Sequence, residues 1–379
     1  MWFISALGSV ALIFLTLLDS FETTILPRRV THRFRFARLY YRNAWKLWRW
    51  LALLIPGAKS RVAFLSLFGP LSLIGLMVNW VFGLILGFAW LHWSLGTSLH
   101  VQEGAIDFVG YLYLSGTTFF TLGYGDITPI TTPGRALAII EAGMGFGFLA
   151  IIIGYLPVIH QVYSRRERSI SLLDARAGSP PSAGQFLLRL VKSSSLDEVS
   201  PFLREWEQWA CELLENHLSF QVLGYYRSQH DNQSWLAALT MVLDTCAFLI
   251  IEVPGPHCYQ AQLTFAMARH AVVDLVLIMK RKPHEHHSER LPPDRLQWLR
   301  EELRAGGVVL ASDDAAWPLK QVRIMYEPFV NALADYYLFK LPEFAPQQLR
   351  PDNWQTSAWM PQAPAVGSFP TAASGETHF

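Results

Sequence analysis

The sequence predicts an α-helical membrane protein with a second helical part in its C-terminal half. Apolar residues make up 51% of the 379 positions and charged residues only 16%, whereas soluble domains carry about 25% charged residues. Three long apolar runs lie before residue 164, and each is long enough to cross a membrane as a helix. From residue 196 onward, apolar residues recur instead with the period of an amphipathic helix.

The first apolar run, residues 2–18, carries no charge. A cleaved signal peptide is the alternative, but no basic residue precedes the run and no suitable cleavage site follows it. We therefore expect residues 1–21 to form an uncleaved transmembrane anchor.

The next segment, residues 22–61, mixes aromatic side chains with ten Lys and Arg residues. This mixture predicts a helix at the cytoplasmic membrane interface that contacts anionic lipid rather than nucleic acid. Because basic segments stay on the cytoplasmic side, the N-terminus is expected outside. Arginines also follow the third apolar run, so the C-terminal half is expected in the cytoplasm.

Two further apolar runs, residues 64–93 and 134–163, flank a shorter one at 107–119. The shorter run predicts a helix that stops partway across the membrane. Thr132 followed by Pro133 predicts the N-cap and the first residue of the last of these helices.

Between these helices, residues 121–126 read Thr-Leu-Gly-Tyr-Gly-Asp. This motif resembles the selectivity filter of the potassium-selective pore-loop channel family, and the resemblance covers residues 62–163. Such a filter replaces the water shell of an ion with backbone carbonyl oxygens. Gly123 and Gly125 permit backbone angles that aim successive carbonyls at one axis.

The resemblance implies a bacterial-type two-helix pore with one extra N-terminal span and a single filter per chain. A pore needs four filter strands, so it also implies a tetrameric pore-loop module, here a homotetramer. No cofactor is implied beyond K⁺ as the permeant ion. The implied ion-binding residues are Thr121, Leu122, Gly123, Tyr124 and Gly125, with K⁺ at the first four, and the implied filter supports are Asp126, Thr118 and Thr117. Two departures are Phe120, where a small hydroxylated residue is common, and Leu122, where Val is usual.

Gating is expected to involve the helix after the filter. In the resembled family a glycine near the middle of this helix is the hinge, and Gly145 lies at the matching distance, with Gly143 and Gly147 as alternatives. Close helix packing is the simpler interpretation of these glycines. Pro157 removes a helical hydrogen bond and is expected to bend the helix near the gate. Glu141 is predicted either to line the cavity or to accept hydrogen bonds from the base of the pore helix.

The sequence of residues 164–345 predicts an all-α cytosolic regulatory domain. A Ser, Pro and Gly-rich linker at 178–184 is predicted to lead into its helices. Ser234 is predicted to cap a helix over 235–251, and a further helix is predicted over 259–279. Both are apolar enough to be spans, but internal charges favour core helices of a soluble domain. Further helices are predicted to open at Pro293 and end at Arg304, and to open at Trp317 and end at Phe339. The tail, residues 346–379, is predicted to be disordered. The three cysteines have no metal-binding spacing and suit a reduced cytosolic location.

Nothing in the C-terminal half assembles a catalytic set, so an enzyme is not predicted. A polar segment at 225–235 is a candidate ligand site or a helix-capping loop. The histidines at 284, 286 and 287 are a candidate metal cluster or an exposed loop. The sequence therefore predicts a multi-pass channel of the cell (plasma or inner) membrane that conducts K⁺ passively, is gated by the inner helix and is modulated through an unknown cytosolic ligand or protein. A membrane-tethered sensor that uses the pore module as a scaffold is the alternative.

Overall fold

The computed structural model describes residues 2–25, 36–101, 107–193, 196–230, 232–284, 289–311 and 315–346. The chain forms two compact units, Met1–Gln161 and Val162–Phe379. Both are helical, as the sequence predicts, and the β structure of the described residues is one two-stranded ribbon in the first unit. Residues 26–35 of the predicted basic segment, and the predicted disordered tail from residue 347 onward, lie outside the described residues.

Among its described residues, the first unit has six helices and two strands, and the last helix continues into the second unit. The helices are α1 Trp2–Thr24, α2 Phe36–Leu54, α3 Ala58–Ser66, α4 Phe68–Ser94, α5 Phe108–Phe119 and α6 Thr132–Ala177, and the strands are β1 Leu99–Val101 and β2 Ile127–Pro129. The helix α1, the continuous stretch α3–α4 and the helix α6 are each long and apolar enough to cross a membrane. These helices contain the three predicted apolar runs.

Glycines of α4 let α1 pack closely against it. A Cβ atom added at Gly87 would lie 2.6 Å from the Cγ1 atom of Ile13, and one added at Gly83 would lie 3.1 Å from the Oγ1 atom of Thr16. Small residues at these positions therefore permit the close approach of two apolar helices.

Asp19 shows how an acid is accommodated near the end of α1. Its carboxylate accepts a hydrogen bond from the backbone nitrogen of Ala37 at 3.2 Å and one from Nε1 of Trp80 at 2.8 Å. Ala37 lies in the first turn of α2 and Trp80 lies in α4. One buried carboxylate thus joins three helices and is stabilised by the donors that a buried charge requires.

The start and the end of α6 differ from the prediction. The hydroxyl of Thr131, rather than that of Thr132, accepts a hydrogen bond from the backbone nitrogen of Gly134 at 3.3 Å. Thr131 is therefore the N-cap, and Pro133 is the second helical residue. The helix also passes its predicted end at residue 163 and stops at Gly178, whose φ of +81° is left-handed and typical of a helix terminator.

In the part of the second unit that the structure describes, there are seven further α-helices. They are α7 Ala183–Ser193, α8 Val199–Ser219, α9 Trp235–Glu252, α10 His257–Ile278, α11 Pro293–Ala305, α12 Ala316–Ile324 and α13 Glu327–Tyr337. The helix α9 is surrounded by its neighbours, and 89% of its most apolar stretch is buried. The predicted N-cap of α9 is confirmed, because Oγ of Ser234 accepts a hydrogen bond from the backbone nitrogen of Ala237 at 3.0 Å.

The acidic residues of α9 are paired inside the unit. Asp244 of α9 is fully buried and binds the guanidinium of Arg290 and the hydroxyl of Tyr326, the latter at 2.6 Å. Glu252, at the end of α9, forms an ion pair with Arg300 at 2.6 Å. These pairs let polar groups lie in the core without an unpaired charge.

Two predictions for the second unit are wrong. The predicted linker at 178–184 belongs to the interior: Ser179 and Ser182 are buried, and the backbone nitrogen of Gly184 donates to the carbonyl of Phe344 at 2.8 Å. The single helix predicted from Trp317 to Phe339 is instead α12 followed by α13. Pro328 explains the break, because it has no N–H for an intrahelical bond and its ring excludes the carbonyl one turn earlier.

Candidate ion pathway

The helix α5 leads directly into the motif at residues 121–126. The carboxylate of Asp107 caps its first turn by accepting a hydrogen bond from the backbone nitrogen of Gly110 at 3.1 Å. Tyr111 and Leu114 pack with Ala89 and Leu99 in a buried cluster. The predicted helix over 107–119 is confirmed, and its last turn fixes the position of the motif.

Along the motif, residues with a positive φ angle alternate with residues whose φ angle is not positive. The φ angle is +56° at Thr121, +56° at Gly123 and +80° at Gly125, and it is not positive at Leu122 or Tyr124. Glycine adopts a positive φ without steric cost. For a β-branched residue such as Thr121 the same angle is a strained outlier of the kind that clusters at functional sites. The sequence analysis assigned this freedom to the glycines and missed the threonine.

The last turn of α5 holds the base of the motif through main-chain bonds. The backbone nitrogen of Leu122 donates to the carbonyl of Thr117 at 2.8 Å, and that of Thr121 donates to the carbonyl of Thr118 at 3.0 Å. The hydroxyl of Thr117 donates to the carbonyl of Leu114 within its own helix at 3.0 Å. Within one chain, Thr117 and Thr118 therefore contact the motif through their carbonyl groups.

The C-terminal end of the motif continues into the ribbon. Strand β2 pairs antiparallel with β1, with Ile127 opposite Val101 and Pro129 opposite Leu99. Asp126 lies just before β2. The motif is thus tied to α5 at its first residues and to the ribbon after its last one.

The motif itself remains open in a single chain. Residues 121–125 are exposed, and the side chain of Tyr124 has 68% of its surface accessible. Phe120 is also exposed, and its ring contacts that of Phe119 edge-on at 5.6 Å. Contiguous exposed apolar surface of this kind marks a contact surface for another molecule.

Glu141 is completely buried by its own chain. One carboxyl oxygen contacts the hydroxyl of Ser115 in α5, and the other lies 3.9 Å from Nε2 of His92 in α4. Of the two predicted arrangements, the structure supports contact with the pore helix. The sequence analysis did not name His92 as a partner of Glu141. The available signal was a polar side chain in each of three adjacent apolar segments.

The glycines of α6 are not equivalent. A Cβ atom added at Gly145 would overlap the carbonyl oxygen of Phe119, whereas no atom lies within 4 Å of one added at Gly143, Gly147 or Gly154. Gly145 therefore brings α6 against the last residue of α5. Pro157 lies inside the continuous helix.

The polar candidates of the second unit have structural partners. Arg227 donates to the carbonyl of Tyr337 at 2.6 Å, and the hydroxyl of Tyr225 bonds that of Tyr336 at 2.7 Å. These contacts tie the segment at 225–235 to α13, which supports the loop interpretation over the ligand site. His284 bonds Asp335 at 2.7 Å, and the histidines at 286 and 287 lie outside the described residues.

Comparison with known proteins places these elements in a family. A family model described as "Ion channel" matches residues 77–159, from within α4 to within α6. Protein LctB of Bacillus caldotenax is 34% identical, with 22% of this chain aligned to 69% of that protein. Protein LctB of Geobacillus stearothermophilus is 32% identical over the same shares of the two chains.

One relative matches over a longer stretch. The uncharacterized membrane protein YdjJ of Bacillus subtilis is 26% identical, with 63% of this chain aligned to 69% of that protein. Its similarity therefore extends beyond the pore elements. No solved structure matches the chain significantly. With α5, its motif and the first part of α6 inside the matched region, the chain belongs to the ion-channel family and is an α-helical membrane protein.

Proposed function

We propose that the protein is a potassium-selective channel. The observation that carries this proposal is the alternating backbone of residues 121–125 between two apolar helices. Such alternation turns successive peptide groups so that their carbonyl oxygens face one side, and rings of carbonyls replace the hydration shell of K⁺. The proposed sites use the oxygens of Thr121, Leu122, Gly123 and Tyr124, and the step is passive conduction rather than catalysis.

The channel is proposed to be a homotetramer. A single chain supplies one open strip of carbonyls, and four strips close a filter. The helix α6 also exposes large apolar side chains at Ile139, Phe146 and Ile153, each more than 60% accessible. Lipid and neighbouring copies would cover such a surface.

The helix α6 is proposed to gate the pore, with Gly143, Gly145, Pro157 and Glu141 as the residues that set its position. Its C-terminal end lies in the second unit, where Arg166 donates to the carbonyls of Leu223 at 2.9 Å and Tyr226 at 2.8 Å. This attachment supports modulation of the gate by the C-terminal unit in response to a cytosolic ligand or protein.

The proposed location is the cell membrane, with the N-terminus outside and the C-terminal unit in the cytoplasm. The helix α2 exposes the basic residues Arg42 and Lys46 together with the apolar residues Leu47 and Trp50. A helix of this composition binds at an anionic lipid surface. The helix α9 is proposed to be a core helix rather than a span, because its neighbours cover it and Asp244 is ion-paired.

Reconstitution tests the proposal. The full chain in lipid vesicles, with unequal K⁺ and Na⁺ on the two sides, should give a reversal potential close to that of K⁺. A reversal potential that follows Na⁺ equally well would reject potassium selectivity. Absence of any ion flux, with intact folded protein in the vesicles, would favour the membrane-tethered sensor.

A further inference from the structure

The hydroxyl group of Ser115 lies between two oxygen atoms. Its Oγ atom is 2.8 Å from the carbonyl oxygen of Ile85 in α4 and also contacts Oε1 of Glu141 in α6. A serine hydroxyl has one hydrogen to donate, and a carbonyl oxygen has none. When Ser115 donates to Ile85, its contact with Glu141 requires a hydrogen on the carboxyl group of Glu141. Counting hydrogens therefore indicates a neutral carboxylic acid at Glu141.

The second carboxyl oxygen of Glu141 also indicates a neutral carboxylic acid. Among the described residues, neither Oε2 of Glu141 nor Nε2 of His92 has a hydrogen-bond partner, and the two atoms face each other at 3.9 Å. Both side chains are fully buried. An ionised carboxylate here would have one hydrogen bond at most and no close cation, which is a costly arrangement. A neutral acid avoids that cost.

The elements packed around this pair bring few other ionisable groups. In α5, the hydroxyl of Tyr111 donates to the carbonyl of Thr97. His100 of β1 and Arg135 of α6 are exposed. Asp19 of α1 is bound by α2 and by Trp80. In the described part of the chain, His92 is the side chain within 4 Å of Glu141 that can carry a positive charge.

We propose that protonated Glu141 is a positioning residue for the filter and acts through Ser115. When Glu141 loses its proton, its carboxylate binds His92 instead. In the protonated state the chain of hydrogen bonds runs from Glu141 to Ser115 to Ile85 and joins α6, α5 and α4. After deprotonation, the buried carboxylate attracts an N–H of His92 and competes with Ile85 for the Ser115 hydrogen. The helix α5 then loses the hydrogen bond from Ser115 to Ile85, which is one of the two contacts that Ser115 makes with neighbouring helices. Ion flow is therefore highest while Glu141 keeps its proton.

Infrared spectroscopy on the reconstituted full chain tests the protonation directly. Wild-type protein should show a carbonyl-stretch band of a buried, protonated carboxyl group at neutral pH, and Glu141→Gln should lack it. Asp107→Asn is the matched control, because Asp107 is an exposed acid of the same unit and Asn caps a helix equally well. A wild-type spectrum without this band, or one retained in Glu141→Gln, would overturn the proposal.

The pH profile of ion flux tests the positioning role and rests on the proposed channel function. Between about pH 5 and about pH 10, wild-type flux should fall several-fold as Glu141 loses its proton. Glu141→Gln keeps a side-chain N–H donor for Ser115 and should conduct without that fall. His92→Gln should shift the profile, whereas His100→Gln, at the exposed ribbon, should leave it unchanged.

A fall that persists in Glu141→Gln would contradict the proposal. Ser115→Ala should lose flux at every pH, and a wild-type profile in that variant would contradict it as well. If the protein conducts no ions, the proposed channel function fails, and the infrared result still decides the state of Glu141.

Discussion

The helices α6 and α9 are both apolar enough to cross a membrane, but the chain uses them in opposite ways. Only 17% of the most apolar stretch of α6 is buried within the chain, against 89% for α9. The apolar surface of α6 is left for lipid or other copies, whereas that of α9 forms the core of its own unit. Apolar composition therefore shows that the surface of a helix must be covered. The packing of the chain shows whether its own residues provide that cover.

The two units also place their polar chemistry differently. In the first unit, the candidate site consists of main-chain groups. Its important residues permit unusual backbone angles or a close approach of two helices, as Gly123 and Gly145 do. In the second unit, polar side chains pair with each other inside the core, as Arg290 does with Asp244. Substitutions that distort the motif should thus change ion flow, and those that unpair the buried charges of the second unit should change stability.

The largest effect is expected from Gly123→Ala. An alanine at a φ of +56° costs about 1–2 kcal/mol in each strand, and a filter repeats that cost four times. K⁺ flux into vesicles should fall by about a hundredfold or more. Gly96→Ala is the control, because Gly96 has a φ of +61° and open space around it outside the motif. Equal losses in the two variants would mean that backbone strain, rather than the filter, explains the result.

A smaller but substantial effect is expected from Arg290→Met. The change leaves Asp244 buried without its cation and removes a 3.1 Å ion pair with Glu327. Breaking a buried pair from one side costs about 3–5 kcal/mol. Hydrogen exchange of the full chain should increase in the second unit and stay unchanged in α4 and α5.

The exposed pair of Arg176 and Glu205, 3.6 Å apart, supplies the control for that experiment. Its loss in Arg176→Met should cost no more than about 1 kcal/mol. If both variants changed exchange by the same amount, the buried network would not be what stabilises the second unit.

Gly145→Ala should have an intermediate effect on the first unit. The added methyl group overlaps the carbonyl of Phe119, so α6 and the end of α5 must separate, at about 1–3 kcal/mol. Gly143→Ala meets no atom of its own chain and gains helix propensity of about 1 kcal/mol. Thermal unfolding in detergent should therefore rank Gly145→Ala below wild type and Gly143→Ala at or above it. The reverse order would contradict the packing role of Gly145.

Local chemistry made much of the fold predictable. The helix over 107–119, the cap at Ser234 and the helix opening at Pro293 follow from residues within a few positions of each other. The motif at 121–126 is likewise contiguous. Such features are set by hydrogen bonds and backbone angles that neighbouring residues determine.

Long-range contacts explain what the sequence did not reveal. Glu141 meets His92 only because α4, α5 and α6 pack together, and nothing near either residue in the sequence indicates the other. Thr121 is a different case, because its left-handed angle opposes its own backbone preference although the bonds beside it go to the adjacent last turn of α5. The buried segment at 178–184 has the composition of a linker, and its contact with Phe344 gives it a fixed place.

The effect that is smallest at neutral pH is a pH dependence of the second unit through His217. Burial lowers the pKa of His217 from 6.5 to about 3, so the imidazole is neutral in the folded protein while its Nδ1 bonds the carbonyl of Leu213. Between these two values the unfolded chain binds the extra proton. Stability is therefore fully present above the ordinary pKa and is lost as pH falls towards the folded one, by up to about 1.4 kcal/mol per pH unit. Unfolding of the full chain, followed by hydrogen exchange in α8, should show this slope in wild type and a smaller slope in His217→Gln. His270→Gln, at an exposed position of α10, should keep the wild-type slope, and a slope unchanged by His217→Gln would assign the dependence to another group.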